Sequence, residues 1–191
     1  MFFAAQIKSH VQSAPRRYFV TMLLRLIATF LLPLCISAAQ FPIKSNAKII
    51  VLVFISTDCP ISNKLAPEIE RLSHKFSTND VAFTIVYPNA SDTDEKIATH
   101  RRDYHLTANS LRDPKHELIK AAGATITPEA AVFNSKRALA YRGRINDRFL
   151  ALGKDRSRAT QNDLEDAINA LLADKKPKQA RTEAVGCFIQ N

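Results

Sequence analysis

Buried-strand and helix patterns alternate along the chain from residue 48 onward. Residues 48–55 form a short apolar run rich in β-branched side chains, which is typical of a strand buried on both faces. A second such strand is predicted at 81–87. Between them, apolar residues recur at helical spacing, which predicts a helix with one buried stripe formed by Ile61, Leu65, Ile69, Leu72 and Phe76. This alternation predicts parallel strands joined by a crossover helix.

Two further helices are predicted from their end signals. Ser91 is followed by Asp94 three residues later, which is a capping-box pattern at a helix start. A short helix is predicted with Asp113 as its N-cap, Pro114 in its first turn and Gly123 just past its end.

The remaining pattern predicts a hairpin and a last helix. Two strand-like runs at 129–133 and 138–145 are joined by a polar turn, and the charged segment 147–159 is predicted to be an exposed loop. Thr160 with Asp163 is predicted to cap the final helix. The predicted fold class is therefore α/β, a three-layer α/β/α sandwich with a mixed central sheet, a closing β-hairpin and a C-terminal helix.

The first 39 residues have the three parts of an export signal. Basic residues precede an apolar run at 26–36, and the small residues Ser-Ala-Ala lie just before Gln40. Met22 offers an alternative start for a more compact signal. An uncleaved membrane anchor is the alternative, although the apolar span is short and is interrupted by a charge and a proline. We therefore predict a periplasmic or secreted protein with a domain at 40–174 and a linker and cysteine-containing tail at 175–191.

Charge and composition narrow the function classes. The chain has a net charge of +9, with 46% hydrophobic and 24% charged residues, which is typical of a soluble globular protein. Its basic residues are interleaved with acidic ones, whereas a nucleic-acid-binding protein usually has a clustered basic stripe with aromatics. We predict no nucleic-acid partner, and membrane contact only through the N-terminal signal.

Cysteine chemistry is the main functional signal. Cys35 lies in the signal and would leave with it, so the mature chain keeps Cys59 and Cys187 in a compartment where a disulfide can persist. Cys59 follows a predicted strand and begins a helix, where unpaired N–H groups and the helix dipole favour a reactive thiolate. Asp58 would oppose ionisation if it pointed inward. The alternative is that Cys59 is an ordinary buried residue.

Residues 51–76 resemble the active-site strand and helix of thioredoxin-like proteins. Cys59 matches the first cysteine of their C-x-x-C motif, and Pro67 matches their helix-kinking proline. Ile126-Thr127-Pro128-Glu129 resembles their cis-proline loop. The resemblance covers residues 45–173 and implies a thioredoxin-like fold with Cys59 as nucleophile. It also implies that Thr127 and Pro128 receive a substrate strand beside the sulfur.

More narrowly, the chain is similar to exported redoxins related to alkyl hydroperoxide reductase and thiol-specific antioxidant proteins. The similarity rests on Cys-Pro followed by Ser-Asn, on the strand at 141–145 and on the terminal Val-Gly-Cys. Unlike a dithiol thioredoxin, the chain has Ser62 at the second cysteine position, so its C-x-x-S site needs another thiol to release a mixed disulfide. Compared with peroxiredoxins, Ser56 occupies their Thr or Ser position, and Arg142 is a candidate for their peroxide-polarising arginine.

Cys187 is the candidate for the missing thiol. By analogy with peroxiredoxins it would be a resolving cysteine, reaching Cys59 by folding back or reaching it in a second subunit of a homodimer. A structural Cys59–Cys187 disulfide and an unused thiol are the alternatives. The predicted substrate-binding set around the two cysteines is Ser56, Ser62, Thr127, Pro128 and Arg142.

The favoured function is an exported thiol-disulfide redox protein that uses Cys59 as nucleophile and exchanges electrons with a thiol or disulfide protein partner. A peroxiredoxin-like thiol peroxidase with Cys187 as resolving thiol is the enzymatic alternative. A non-catalytic binding module or copper-handling accessory protein is the other alternative. No cofactor or metal is predicted, because the cysteine–histidine spacings do not form a metal-binding set and because His100 and His105 are expected to be solvated.

Overall fold

A computed structural model describes residue 43 and residues 45–77 and 80–190. The predicted export signal lies outside the described residues. Along the chain the elements are β1 (Ile49–Phe54), α1 (Pro60–Lys75), β2 (Val81–Tyr87), α2 (Asp94–Asp103), β3 (Asn109–Arg112), α3 (Glu117–Ala122), β4 (Ile126–Thr127), β5 (Glu129–Phe133), β6 (Leu139–Gly143), β7 (Phe149–Ala151), β8 (Lys154–Asp155), α4 (Asp163–Leu172) and β9 (Cys187–Phe188). No helix within these described ranges is long and apolar enough to cross a membrane.

The central sheet has five strands in the order β3-β2-β1-β5-β6. β1 is parallel to β2, and β2 is parallel to β3, whereas β5 and β6 run antiparallel to their neighbours. The predicted hairpin is therefore present as β5 and β6. β1 is the middle strand and is buried along its whole length, as its continuous apolar run predicts.

Two hydrophobic clusters lie on the two faces of this sheet. Alternate side chains of β1 enter opposite clusters: Val51 packs with α1 and α4, while Leu52 packs with α3. The arrangement confirms the predicted three-layer α/β/α sandwich. Cys59 belongs to the first cluster, so its position is determined by the packing of α1 against the sheet.

The helix starts differ from the predicted caps. α2 begins at Asp94, and its N-cap is Thr93, whose hydroxyl accepts the Lys96 N–H at 3.4 Å. Ser91 is therefore not the cap. α4 begins at Asp163 with Asn162 as its N-cap, so Thr160 is not a cap either.

The start of α3 is stabilised in an unexpected way. The helix begins at Glu117, four residues after the predicted cap Asp113. The Asp113 carboxylate nevertheless accepts the first three helical N–H groups, from Glu117, Leu118 and Ile119, at 2.8–3.0 Å. The Asp113 side chain thus pairs with the free N–H groups of the first helical turn. It does so from four to six residues away, whereas an N-cap side chain bonds N–H groups two or three residues away.

Besides the β4–β9 pair, two strand regions lie where none was predicted. β3 has the sequence Asn-Ser-Leu-Arg, which lacks both alternation and β-branched residues, and it forms because β2 offers a parallel edge. The segment 147–159 was predicted to be a loop, but it contains the hairpin of β7 and β8. Most of this hairpin is exposed, as predicted, although Phe149 is buried.

The tail from Lys175 onward runs along the molecule. Residues 175 and 176 are exposed, as expected of a linker. The next part pairs with the outer edge of β6, because the Arg142 N–H donates to Ala180 O at 3.0 Å and the Thr182 N–H donates to Arg142 O at 3.1 Å. The tail then ends in β9, which is antiparallel to β4.

Candidate thiol site

Cys59 is the N-cap residue of α1, and residues 55–58 separate it from the end of β1. Its backbone is extended, its N–H donates to Ser56 O at 3.2 Å, and its carbonyl accepts the Asn63 N–H at 3.0 Å. The side chain is only 1% exposed. The sulfur therefore lies at a helix N-terminus, where backbone N–H groups stabilise a thiolate.

The loop before β5 contacts this sulfur. The Cys59 thiol donates to the carbonyl oxygen of Thr127 at 3.1 Å, and the Thr127–Pro128 peptide bond is cis. Both loop residues are buried. The structure thus brings Thr127 and Pro128, two of the predicted site residues, to the candidate nucleophile.

Cys187 lies on the other side of the same loop. In the β4–β9 pair, Thr127 is directly opposite Cys187, and the Thr127 hydroxyl donates to Cys187 O at 3.5 Å. Cys187 packs against the hydrophobic cluster that contains Cys59, and a hydrogen bond from its thiol is one of the causes that lower the pKa of Cys59. Both cysteines are free, and Cys187 is only partly buried. The tail therefore places the second thiol beside the first within one chain.

The two thiols have opposite pKa shifts. Burial raises the pKa of Cys59, but hydrogen bonds from the Cys187 thiol, the Ser62 hydroxyl and the N–H groups of Ile61 and Ser62 outweigh it, so the pKa is lowered. Burial and the neighbouring Cys59 raise the pKa of Cys187 to about 11. Cys59 is therefore the thiol of the pair that ionises more readily, and Cys187 is the one that keeps its proton longer.

Ser62 and Asp58 differ in their relation to the sulfur. Ser62 is fully buried, and among the described residues its hydroxyl has no hydrogen-bond partner while Cys59 is a thiol. A hydrogen bond from this hydroxyl to the sulfur is one of the causes that lower the pKa of Cys59. Asp58 is exposed, and its carboxylate lies 3.8 Å from Lys96 Nζ. Asp58 thus points away from the sulfur.

Ser56 is buried in a polar cluster behind the active loop. Its hydroxyl accepts from Asn89 Nδ2 at 2.9 Å and donates to Asp92 Oδ1 at 3.4 Å. Asp92 also accepts the N–H of Thr57 at 3.1 Å. The Ser56 hydroxyl is therefore committed to shaping the loop, whereas its backbone carbonyl is the group that contacts Cys59.

Arg142 is not brought to the sulfur. It lies opposite Ala131 on the β5–β6 pair, on the sheet face of the second hydrophobic cluster, whereas Cys59 packs in the first. Its Nε lies 3.4 Å from the Glu129 carboxylate, and its guanidinium donates to Gly123 O. Glu129 in turn accepts the Thr125 N–H at 2.9 Å. Arg142 thus braces the loop before Pro128.

His100 is buried, which corrects the expectation that it is solvated. Its Nδ1 lies 2.9 Å from the Tyr87 hydroxyl, and its Nε2 lies 2.8 Å from Asn63 Oδ1. Burial lowers the pKa of His100. His105 is exposed, as expected. Within the described ranges, no three His, Cys, Asp or Glu side chains converge as a metal site.

A groove lies beside the thiol pair. It has a volume of about 330 Å³ and runs between the start of α1 and the β7–β8 hairpin. Ile61 and Lys64 line one side, Leu152 and Lys154 line the other, and Cys187 lies in its wall. The groove therefore gives solvent access to the half-buried thiol.

The sequence argument missed the residues that hold the tail in place. Gly186 is one, because a Cβ there would lie 2.7 Å from the Thr127 carbonyl carbon and 3.1 Å from Pro128 N. Thr182 is the other, because its hydroxyl accepts the Arg144 N–H at 3.1 Å. The glycine directly before Cys187 was the available signal, since glycine permits close backbone approach.

The solved structures that resemble this chain include two uncharacterised bacterial proteins. A hypothetical protein from Sinorhizobium meliloti is 24% identical, with a TM-score of 0.65 over 75% of this chain and 79% of its own. An uncharacterized conserved protein from Geobacillus kaustophilus is 22% identical, with a TM-score of 0.64 over 75% and 77% of the two chains. A thioredoxin-like protein in its oxidized form is 18% identical, with a TM-score of 0.51 over 69% and 82%.

These likenesses establish the thioredoxin-like fold. No curated protein matches the chain. The model of the AhpC/TSA family matches residues 36–143, which is more than half of the sequence and includes Cys59 and the cis-proline loop. The chain therefore belongs to the AhpC/TSA family.

Proposed function

We propose that this protein is an exported thiol-disulfide redox protein that alternates between a Cys59/Cys187 dithiol and a Cys59–Cys187 disulfide. The observation that carries the proposal is the position of Cys187, opposite Thr127 in the β4–β9 pair and within reach of the Cys59 sulfur. The C-x-x-S motif lacks its own second thiol, and the tail supplies one.

The pKa difference assigns the roles within the pair. Cys187 loses its proton, attacks the partner disulfide and releases one partner thiolate, which leaves a mixed disulfide on Cys187. The Cys59 thiolate then attacks the Cys187 sulfur and displaces the second partner thiolate. The result is a protein disulfide and a partner dithiol: two electrons pass from the protein to the partner disulfide, one partner thiolate takes the proton of Cys187, and the other takes a proton from water. Cys59 is the nucleophile of the intramolecular step because its pKa is the lowered one.

The test is intact mass spectrometry after alkylation with N-ethylmaleimide. We expect the reduced protein to take up two labels, and the protein treated with glutathione disulfide to take up none and to have lost two hydrogens. A dimer linked through disulfides would indicate pairing between chains instead. If both thiols are still labelled after oxidation, the proposed cycle is wrong.

Export is part of the same proposal and is supported by the composition of the first 39 residues. The mass of the protein recovered from the periplasm or medium of an expressing bacterium tests it. We expect the chain to begin at Gln40. A mass that begins at Met1 or Met22 in the cytoplasmic fraction would contradict export.

A thiol peroxidase is the second candidate, and the burial of Cys59 favours it. A sulfur that is 1% exposed is more accessible to a small peroxide than to a protein disulfide. The Cys59 thiolate would then become a sulfenic acid with release of an alcohol or water, and Cys187 would condense with it to a disulfide and water. Against this candidate, Arg142 pairs with Glu129 and Gly123 away from the sulfur.

Peroxide consumption separates the two candidates. A peroxidase consumes hydrogen peroxide with a dithiol reductant, and Cys59→Ser abolishes that activity. A protein that exchanges disulfides but leaves peroxide unconsumed supports the first candidate only. Inactivity in both assays would favour the non-catalytic module.

A further inference from the structure

The C-terminal strand occupies the free backbone edge at Thr127. β9 pairs with β4 there, and the Ile189 N–H donates to Thr125 O at 3.1 Å, which extends the pairing by one residue. Gly186 packs directly against the Thr127 carbonyl. A strand from another protein cannot pair with Thr127 while the tail is in place.

Solvent access to the two sulfurs is unequal for the same reason. Cys59 is 1% exposed and lies behind the tail. Cys187 is partly buried and forms part of the wall of the groove between α1 and the β7–β8 hairpin. Because an attacking sulfur must approach its target directly, the groove is the open route to the thiol pair.

The groove has an apolar and basic lining that is suited to a polypeptide. Leu152 is 71% exposed and lies in the groove, and Phe188 is 83% exposed and follows Cys187 in β9. They are the two most exposed large hydrophobic residues among those described. Lys64, Lys154 and Asp155 also line the groove, with Asp155 3.8 Å from Lys64, so the lining carries two positive charges and one negative charge. Exposed apolar side chains beside a reactive group are typical of an interaction site.

We propose that this groove is the docking site for an extended segment of a partner protein that carries a thiol or disulfide between apolar residues, and that the partner exchanges with Cys187 while the tail strand stays in place. The proposal rests on the proposed function, since it requires the Cys59–Cys187 disulfide. The occupant is a polypeptide with apolar and acidic side chains beside its cysteine, because leucine and lysine line the groove.

The exchange is balanced with a partner dithiol as reductant. One partner thiolate attacks the Cys187 sulfur of the protein disulfide, the Cys59–Cys187 bond breaks, and Cys59 leaves as a thiolate. The second partner thiol then attacks the mixed disulfide, which forms the partner disulfide and returns Cys187 as a thiol. A thiol of lower pKa is the better leaving group. Attack on the Cys187 sulfur therefore releases Cys59, the better leaving group of the two.

The experiment compares reduction of the oxidised full chain by two probes. One is a synthetic dithiol peptide with leucine and glutamate on each side of a Cys-Gly-Pro-Cys segment, and the other is dithiothreitol. We expect Leu152→Asp to slow reduction by the peptide about tenfold, because an apolar contact is lost and a repulsive charge is added. Reduction by dithiothreitol should slow by less, since its thiolate meets the same added charge but the reagent needs no docking, so the ratio of the peptide rate to the dithiothreitol rate reports docking.

Leu139→Asp is the matched control. Leu139 is 44% exposed on β6, outside the groove, so we expect its substitution to change neither rate. An equal peptide rate in Leu152→Asp and Leu139→Asp overturns the docking proposal. Gly186→Val displaces the tail. If this variant is reduced faster by the peptide, the partner binds the surface at Thr127 instead of the groove. If no disulfide forms at all, the proposed function is wrong, and the docking proposal, which requires that disulfide, is wrong with it.

Discussion

Cys59 and Cys187 carry the same functional group but are held by different parts of the molecule. Cys59 starts a helix whose apolar stripe packs on the central sheet, and it is part of that hydrophobic cluster. Cys187 lies on a two-residue strand at the end of a tail. The tail is held by backbone hydrogen bonds to β6 and β4 and by a few side-chain contacts.

The more easily ionised thiol and the more solvent-accessible thiol are therefore two different cysteines. The rigid part of the molecule holds the thiol whose pKa is lowered, and the tail holds the thiol that reaches solvent. Core packing gives Cys59 a fixed orientation toward Thr127, while the tail contacts allow Cys187 to be displaced at lower cost. Perturbing the tail should therefore change access to Cys59 without unfolding the domain.

The largest effect should come from removing either sulfur. Cys59→Ser and Cys187→Ser should each lower dithiol-dependent reduction of glutathione disulfide by about a hundredfold or more. The two cysteines act as one unit, so removing either one removes most of the activity. The double variant should be no slower than the worse single variant. Turnover in Cys187→Ser at the wild-type rate would show that the tail thiol is not part of the cycle.

Displacing the tail should have the next largest effect. Gly186→Val adds a side chain where a Cβ already meets the Thr127 carbonyl carbon at 2.7 Å. We expect alkylation of Cys59 by iodoacetamide to accelerate by about tenfold or more, because opening of the tail no longer limits access.

Ala180→Val is the control for this variant. It adds bulk to an exposed residue of the same tail without entering the site. Its alkylation rate should match the wild type, and thermal unfolding should be similar in all three proteins. Unchanged alkylation in Gly186→Val would mean that the tail does not cover Cys59.

The fold was largely predictable because its core strands and helices have strong patterns. β1 is a continuous apolar run, and α1 carries a regular stripe, so local sequence and tertiary burial agree. β3 was missed because Asn-Ser-Leu-Arg has no strand pattern of its own, and it forms only because the edge of β2 is available. The start of α3 was misplaced because Asp113 bonds N–H groups four to six residues away.

The site was predictable only in part. Cys59, Thr127 and Pro128 belong to local motifs, and the structure brings them together. The position of Cys187 depends on backbone pairing across sixty residues, which no local pattern encodes. Arg142 lies on the opposite sheet face because side chains alternate along β6, and the sequence alone did not fix that register.

A smaller effect should appear in the pKa of Cys59. Burial raises this pKa, and the hydrogen bonds from Cys187 and Ser62 more than offset it. Cys187→Ala removes the largest of the lowering contributions, so the pKa should rise. The thiolate fraction then falls at any pH between the old and new pKa values and is unchanged well above both.

The pH dependence of iodoacetamide alkylation measures this shift. The midpoint should move to higher pH in Cys187→Ala and, by a smaller amount, in Ser62→Ala. The midpoint reports the pKa of Cys59, whereas the plateau rate at high pH also reports how accessible its sulfur is. The two measurements therefore distinguish a change in pKa from a change in solvent access. A midpoint that stays in place in both variants would remove the hydrogen-bond explanation of the lowered pKa.

The smallest effect should come from one tail anchor. The Thr182 hydroxyl accepts the Arg144 N–H at 3.1 Å and lies 2.7 Å from the Tyr141 hydroxyl. Thr182→Val leaves that N–H unpaired, which costs about 1 kcal/mol of tail docking, or roughly a fivefold increase in the detached population. Alkylation of Cys59 should accelerate by the same factor, while Thr182→Ser keeps the hydroxyl and should match the wild type. Equal rates in the valine and serine variants would mean that the backbone pairing with β6 alone holds the tail, and that Thr182 contributes only its main chain.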